Sequence, residues 1–324
     1  MSALQVVMLA AASLSLAAAP AAAQTYPSHA ITWVVPFTPG GVTDTASRAV
    51  SRKMGELLGQ PFVVDNRPGV GGSLATEQVA RATPDGYTVL YVTSGTMAAN
   101  LALYKNLKYD PLKDFIPVHG MFLSPTLLVV EASRPYKTVA ELVQFAKANP
   151  GVLNYGSAGR GTGTHLTSEL MQARTGIKMT HVPYKGSAPA LQDMLGGRLD
   201  LMFDYTVTLL PHIKSGRLRA LAVMGSKRLP ALPDVPTIAE AGFAGSESSS
   251  WSGIAVPAGT PPEVVKSLSQ AMATALADPE LVAPFEQIGS QPLVDYSEAK
   301  FRAFIAEEIR KWAEVVRISG ATLN

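Results

Sequence analysis

Beyond about residue 26 the chain alternates short apolar runs with patterns of helical period. Ile31-Thr32-Trp33-Val34-Val35 is β-branched and aromatic, which suits a strand buried on both faces, and Pro36, Pro39, Gly40 and Gly41 break it at once. From Thr43 to Leu58 the apolar residues Ala46, Val50, Met54, Leu57 and Leu58 recur at helical spacing, and Gly59 is placed to end the helix in the left-handed conformation. Further strand-like runs lie at 62–64, 87–92, 127–130, 153–155, 179–182, 201–203 and 220–224. Helix-sized segments separate most of them. This alternation predicts an α/β fold built on a mostly parallel, doubly wound sheet or a pair of them.

Helix starts sharpen the pattern. Thr138 with Glu141, and Thr260 with Glu263 behind Pro261, have capping-box spacing. The final helix, 298–318, sets Phe301, Phe304, Ile305, Ile309, Trp312, Val315 and Val316 in one stripe, which predicts core packing. Three prolines within 228–236 exclude a helix interior and mark a connector.

Composition then removes whole classes of function. Of 324 residues, 47% are hydrophobic and 16% charged, which excludes a disordered chain. A formal net charge of +2 argues against a phosphate-backbone binder, so nucleic acid is not an expected partner. With no cysteine there are no disulfides, thiolate metal sites or thiol catalysis. Residues 1–23 carry no charged side chain and end in Ala21-Ala22-Ala23, the small-residue pattern of a signal-peptide cleavage site. Their apolar core is short and Ala-rich beside the ~20 strongly apolar residues of a membrane span. The expectation is a cleaved signal, a mature chain beginning at Gln24, and export. The lack of Lys or Arg ahead of the apolar core departs from the usual signal and points to a start upstream.

Two Gly-rich turns between a strand and a helix are candidate anion cradles. One is Asn154-Tyr155-Gly156-Ser157-Ala158-Gly159-Arg160-Gly161-Thr162-Gly163-Thr164-His165, and the other Pro36-Phe37-Thr38-Pro39-Gly40-Gly41-Val42-Thr43-Asp44. Free N–H groups of a first helical turn attract anions, and glycines let them reach the backbone. Neither turn has the Lys-Ser/Thr ending of a phosphate loop. Asp44 reads better as a helix-start residue than as a catalytic acid. Catalytic motifs are missing: no histidine pair has helical metal spacing, there is no G-x-S-x-G elbow, and Asp193, Asp200 and Asp204 are scattered. No metal or cofactor is expected.

The order and spacing of these motifs resemble the Bug-type periplasmic receptors of tripartite tricarboxylate transporters. The carriers are the 36–41 turn with Asp44, Asp65-Asn66-Arg67-Pro68-Gly69-Val70-Gly71-Gly72, the segment from Asn154 to His165, Val182-Pro183-Tyr184-Lys185-Gly186, and Leu232-Pro233-Asp234-Val235-Pro236-Thr237. The resemblance implies a two-domain Venus flytrap, monomeric, that grips a small organic carboxylate in its cleft and delivers it to membrane permease subunits. Domain I would comprise 24–124 plus 250–324 and domain II 125–249. It implies ligand contacts from Phe37, Thr38, Gly40, Gly41, Asp44, Ser94 and Thr96 on one wall. Ser157, Gly159, Arg160, Gly161, Thr162 and His165 would form the other, with Tyr184 and Lys185 closing the site and Asp204 facing the cleft. Arg160 either pairs with a second ligand carboxylate or points to solvent, and Trp251 either shapes the pocket or packs. The rival functions are an exported hydrolase or isomerase acting on a carboxylate, and a ligand-sensing receptor for a signalling partner.

Overall fold

The computed structural model describes residues 26–319, so the signal segment and the expected cleavage at Gln24 lie outside the described residues. The strands form one path, β2 (Phe62–Asn66), β1 (Ile31–Val35), β3 (Thr88–Thr93), β9 (Ser249–Pro257), β4 (Phe115–Glu131), β7 (Leu201–Tyr205), β5 (Asn154–Ser157) and β6 (Thr180–Pro183), with β8 (Leu218–Val223) and β10 (Gln291–Pro292) also paired to β4. At one end β1 runs parallel to β2 and β3. At the other, β5 runs parallel to β6 and β7. The expected parallel α/β units are therefore present twice.

Two antiparallel strands join them. β4 pairs with β9 and β10 in its first part and with β7 and β8 in its last. The sequence pattern shows only the apolar end of β4 and misses β9 altogether. His119, Gly120, Ser124 and Pro125 interrupt the apolar run of β4, while Ser249, Ser250, Ser252 and Gly253 dilute that of β9.

Helices cover both faces of each lobe. In the first lobe α1 (Val42–Leu58) covers one face with Ala46, Val50 and Met54. The opposite face is covered by α2 (Ser73–Ala80) and by Phe301, Ile305 and Trp312 of the long C-terminal helix Glu298–Ser319. In the second lobe α4 (Val139–Ala148), named after the short α3 (Asn100–Leu103), lies on one face and α6 (Ser187–Leu195) on the other. The helix between them, α5 (Gly163–Thr175), belongs to both lobes: Leu166 and Leu170 enter a first-lobe cluster, and Met171 a second-lobe cluster. Thr138 caps α4 as expected, accepting from the Glu141 amide at 3.2 Å. Thr260 does not cap α8 (Pro262–Leu276); its hydroxyl donates to the Pro257 carbonyl, and Pro261 stands at the N-cap. α7 (Thr206–Lys214) and α9 (Pro279–Gln287) complete the numbered set, with the C-terminal helix as α10.

The apolar stripe of α10 faces the core, as its spacing predicts, and one carboxylate anchors it. Glu308, nearly buried, accepts from the indole N–H of Trp251 at 2.8 Å and of Trp312 at 3.0 Å through the same Oε2, while Lys311 meets Oε1 at 2.9 Å. Trp251 therefore packs, edge-on to Phe301 and Phe304. Glu308→Ala strands two buried indole donors and is expected to lower stability by roughly 2–4 kcal/mol, measurable by urea denaturation.

Candidate functional site

A cavity between the lobes is ringed by the starts of four helices. Gly41, Val42 and Thr43 reach it from α1, Thr162, Gly163 and Thr164 from α5, Gly186 and Ser187 from α6, and Tyr205 from the N-cap of α7. Phe37, Thr38, Thr93, Ala158 and Ser250 complete the wall. None of these side chains is charged. The N-caps of all four helices, Gly41, Thr162, Gly186 and Tyr205, make no side-chain cap hydrogen bond. By contrast Asp278 at α9, like Thr138 at α4, caps its helix. The positive ends of α1, α5 and α6 thus lie at one small uncharged space, and α7 begins beside it. Its volume, about 40 Å³, suits a few waters or one compact group, since one water needs roughly 10–15 Å³.

The Gly-rich loop of the second wall is held from behind by stacked rings. His165 lies on His181 with centroids 4.3 Å apart, and His181 lies on Tyr155 at 4.8 Å. His165 Nδ1 accepts from the Gly161 amide at 3.2 Å. Ser157 Oγ accepts from the Gly159 amide and shares a 2.6 Å hydrogen bond with His181 Nε2. Burial first, then the charges of Arg160 and, for His181, of His165, pushes the imidazoles down, His165 to about 4 and His181 to about 3. Both stay neutral at ordinary pH and serve as hydrogen-bonding struts. The Ser157–His181 pair has the partners of a nucleophile and base, yet Ser157 is fully buried.

Of the residues expected in the site, Phe37, Thr38, Gly41 and Thr162 line the cavity. A second group stands just behind the wall: Ser94 bonds Ser250 at 2.8 Å, Thr96 Oγ1 accepts from the Thr93 amide, Asp204 takes the Ser187 hydroxyl, and Ser157 and His165 hold the loop. Others do not line it. Asp44 accepts from the Gly40 amide at 3.0 Å and pairs with Arg48, the role of a helix-start residue. Gly159 and Gly161 sit where the loop meets its neighbours, and a Cβ on Gly161 would run into Asn100 Oδ1. Arg160 and Lys185 are exposed, and the Tyr184 hydroxyl donates to Asp193 at 2.6 Å.

Sequence reasoning missed Ser187, Tyr205, Thr93 and Ser250, as well as the first-turn residues Thr43, Gly163 and Thr164. The available signal for the first turns was positional. Each follows a Gly-rich break, and an anion meets first-turn amides whatever the side chains are.

Two α/β lobes joined by crossing strands, with an uncharged cavity between helix starts, define a solute-binding protein of the Venus-flytrap type. The sequence profile of the tripartite tricarboxylate transporter family receptor (TctC) matches residues 46–320, and the chain belongs to that family. It is 39% identical to Protein BugT of Bordetella pertussis over 308 residues, 95% of this chain and 94% of that one. The periplasmic binding protein BugD superposes with a TM-score of 0.88 at 36% identity over 92% of this chain and 99% of that one. An R. palustris protein solved with adipate gives 0.87 at 40% identity, covering 91% and 98%. MatC of Rhodopseudomonas palustris with bound malate gives 0.85 at 35%, covering 90% and 100%. No described helix is long and apolar enough to cross a membrane.

Asp204 stands out electrostatically. It is fully buried, and burial pushes its carboxyl up to about 7, against the smaller lowering effects of the Tyr205 amide and Ser187 hydroxyl. A carboxyl raised from the ordinary value of 3.8 binds a proton in the fold that the unfolded chain has already released. Its contribution to stability therefore falls as pH rises from about 4 to about 7. Asp204→Asn lacks that titration, so its stability relative to the natural chain is expected to increase between about pH 5 and pH 8 in urea denaturation.

Proposed function

We propose that the cavity holds one carboxylate group of a small organic acid, gripped mainly by first-turn backbone N–H groups of helices from both lobes. The lobes correspond to 24–124 plus 250–324 and to 125–249, and they open and close about β4 and β9. The closed, loaded form is delivered to the permease subunits of a tripartite tricarboxylate-type transporter after export to the periplasm. The observation that carries this reading is the convergence of four helix starts without side-chain caps on a cavity with no charged lining. Adipate and malate in related structures support the ligand class. The reading needs no turnover, and burial of Ser157 against His181 keeps that pair from a ligand.

A thermal-shift screen of dicarboxylates and monocarboxylates tests it. A true ligand at about 100 times its Kd adds roughly 2.7 kcal/mol of stability and is recovered chemically unchanged. A flat response across the panel, or conversion of the bound acid, defeats the proposal. Gly163→Ala provides the matching mutation: it suits a helix, but its methyl meets Ser250 Oγ at 2.8 Å and the Tyr205 hydroxyl at 2.9 Å within the site. Binding is expected to weaken by about tenfold or more, equivalent to at least ~1.4 kcal/mol, with the helical circular dichroism unchanged. Arg160→Ala, at an exposed position outside the cavity lining, is expected to change Kd by less than about fivefold.

A further inference from the structure

Asp204 ends β7 directly behind the cavity wall, and its two oxygens are treated very differently. Oδ1 accepts from Ser187 Oγ at 2.9 Å and from the Tyr205 amide at 2.8 Å. Oδ2 is sealed from solvent and has no hydrogen-bond partner among the described residues. A buried carboxylate with one bare oxygen is costly, whereas a carboxylic acid has less charge to solvate. Ser187 connects this group to the ligand space, because its residue lines the cavity while its hydroxyl is engaged by Asp204.

A serine hydroxyl has a single proton to donate. While Asp204 is ionised that proton is committed to Oδ1, and Ser187 can offer the cavity only lone pairs, which repel an anionic oxygen. Once Asp204 is protonated on the oxygen facing Ser187, the hydrogen bond reverses. Asp204 then donates to Ser187 Oγ, and the freed hydroxyl proton turns toward the cavity. We propose that Asp204 is a proton-controlled specificity residue: a ligand carboxylate accepts a hydrogen bond from Ser187 and binds with uptake of one proton from solvent onto Asp204. The proposal rests on the carboxylate reading of the cavity.

The surroundings leave the acid form without a competing cation. Leu127 faces Asp204 across β4, and Thr206 follows on α7. Burial keeps the Tyr205 phenol protonated, and likewise that of Tyr155 on β5, which donates to Glu169. His165 on α5 is neutral above about pH 4. Asp193 near the end of α6 is paired with Arg198 and Tyr184, and His212 and Lys214 lie in the last turn of α7. Glu131 lies at the far end of β4, bonded to Ser133, and His119 lies in its first part with its proton affinity lowered by burial. The carboxyl's own proton affinity, raised by burial to about 7, places the changeover near neutral pH.

Isothermal titration with adipate and with malate, from about pH 6 to pH 8.5 in two buffers of different ionisation enthalpy, tests the switch. The expected result is uptake of close to one proton at the alkaline end, with Kd rising up to about tenfold per pH unit above about pH 7. Asp204→Asn presents an N–H to Ser187 permanently, so it should bind at about pH 8.5 as tightly as the natural chain does at about pH 6, with no buffer dependence. Ser187→Ala should lose affinity and pH slope together. Binding that is flat with pH and exchanges no proton overturns the switch and leaves the carboxylate reading intact. An Asp204→Asn protein that is folded by circular dichroism yet keeps the natural pH slope overturns the switch equally. If neither these acids nor the wider panel binds at any pH, the carboxylate reading itself has failed and the proposal falls with it.

Discussion

Backbone N–H groups at the start of an α-helix have no partner within the helix, and this chain leaves four such starts facing one another. Side-chain caps serve α4 and α9, but α1, α5, α6 and α7 have none from their N-cap residues. Dipoles that converge in this way repel, and the lining itself carries no charge; the carboxyl groups nearest to it are Asp44 in the first turn of α1, paired with Arg48, and the buried Asp204 behind Ser187. An anion in the cavity offsets that repulsion. On the proposed reading the ligand supplies that charge, and no basic residue is needed in the lining. Holding the positive potential in the backbone also leaves less to reorganise when the ligand arrives, since the amides are fixed by the helices behind them.

For the four starts to meet, the lobes must approach closely, and particular residues set the distance. Gly186 of the second lobe abuts Thr38 of the first, and a Cβ there would collide with the threonine hydroxyl. Helix α5 begins at the cavity and then spends its apolar side chains on both lobes, through Leu166 and Leu170 on one and Met171 on the other. The seating of Gly163 against Ser250 and Tyr205 and the packing of both cores are thus carried by one helix. The strands that carry the chain between lobes are irregular in register on the first-lobe side of the crossing, where β4 slips against β9 between Pro117 and His119 and between Gly120 and Leu123. Such interruptions remove ladder hydrogen bonds and let a strand bend.

These same features explain what the sequence disclosed and what it withheld. The α/β alternation was legible because β1, β3 and β7 are buried and largely apolar, and the stripe of α10 was legible because one face carries its large apolar residues. β9 was not, since serines and glycine occupy its first half and separate Trp251 from the apolar residues Ile254, Ala255 and Val256. In the site, the loops with glycine breaks are legible in the sequence. Their consequence is only half so: Arg160, Lys185 and Tyr184 carry the chemical character, while residues such as Thr164, Gly163 and Ser187 line the cavity. A backbone site gives no signal in side-chain identity beyond the glycines that expose it. Asp204 is legible as a carboxylate at a strand end, but its isolation follows from burial by distant segments, which no local pattern encodes.

Recognition through backbone amides has a further consequence for how members of such a family come to differ. Amides at helix starts accept almost any carboxylate, so they supply affinity with little discrimination. Discrimination must come from groups that can present either a donor or an acceptor, and here the lining hydroxyl residues are Thr38, Thr43, Thr93, Thr162, Thr164, Ser187, Tyr205 and Ser250. A hydroxyl takes its direction from whatever stands behind it. Ser250 is engaged by Ser94, Ser187 by Asp204, and Thr164 Oγ1 by the Ala158 amide and Thr162. On the proposed reading, substitutions in that supporting layer can therefore alter which ligand oxygen is favoured without changing a single cavity-lining residue, while the helix starts stay where the fold has put them.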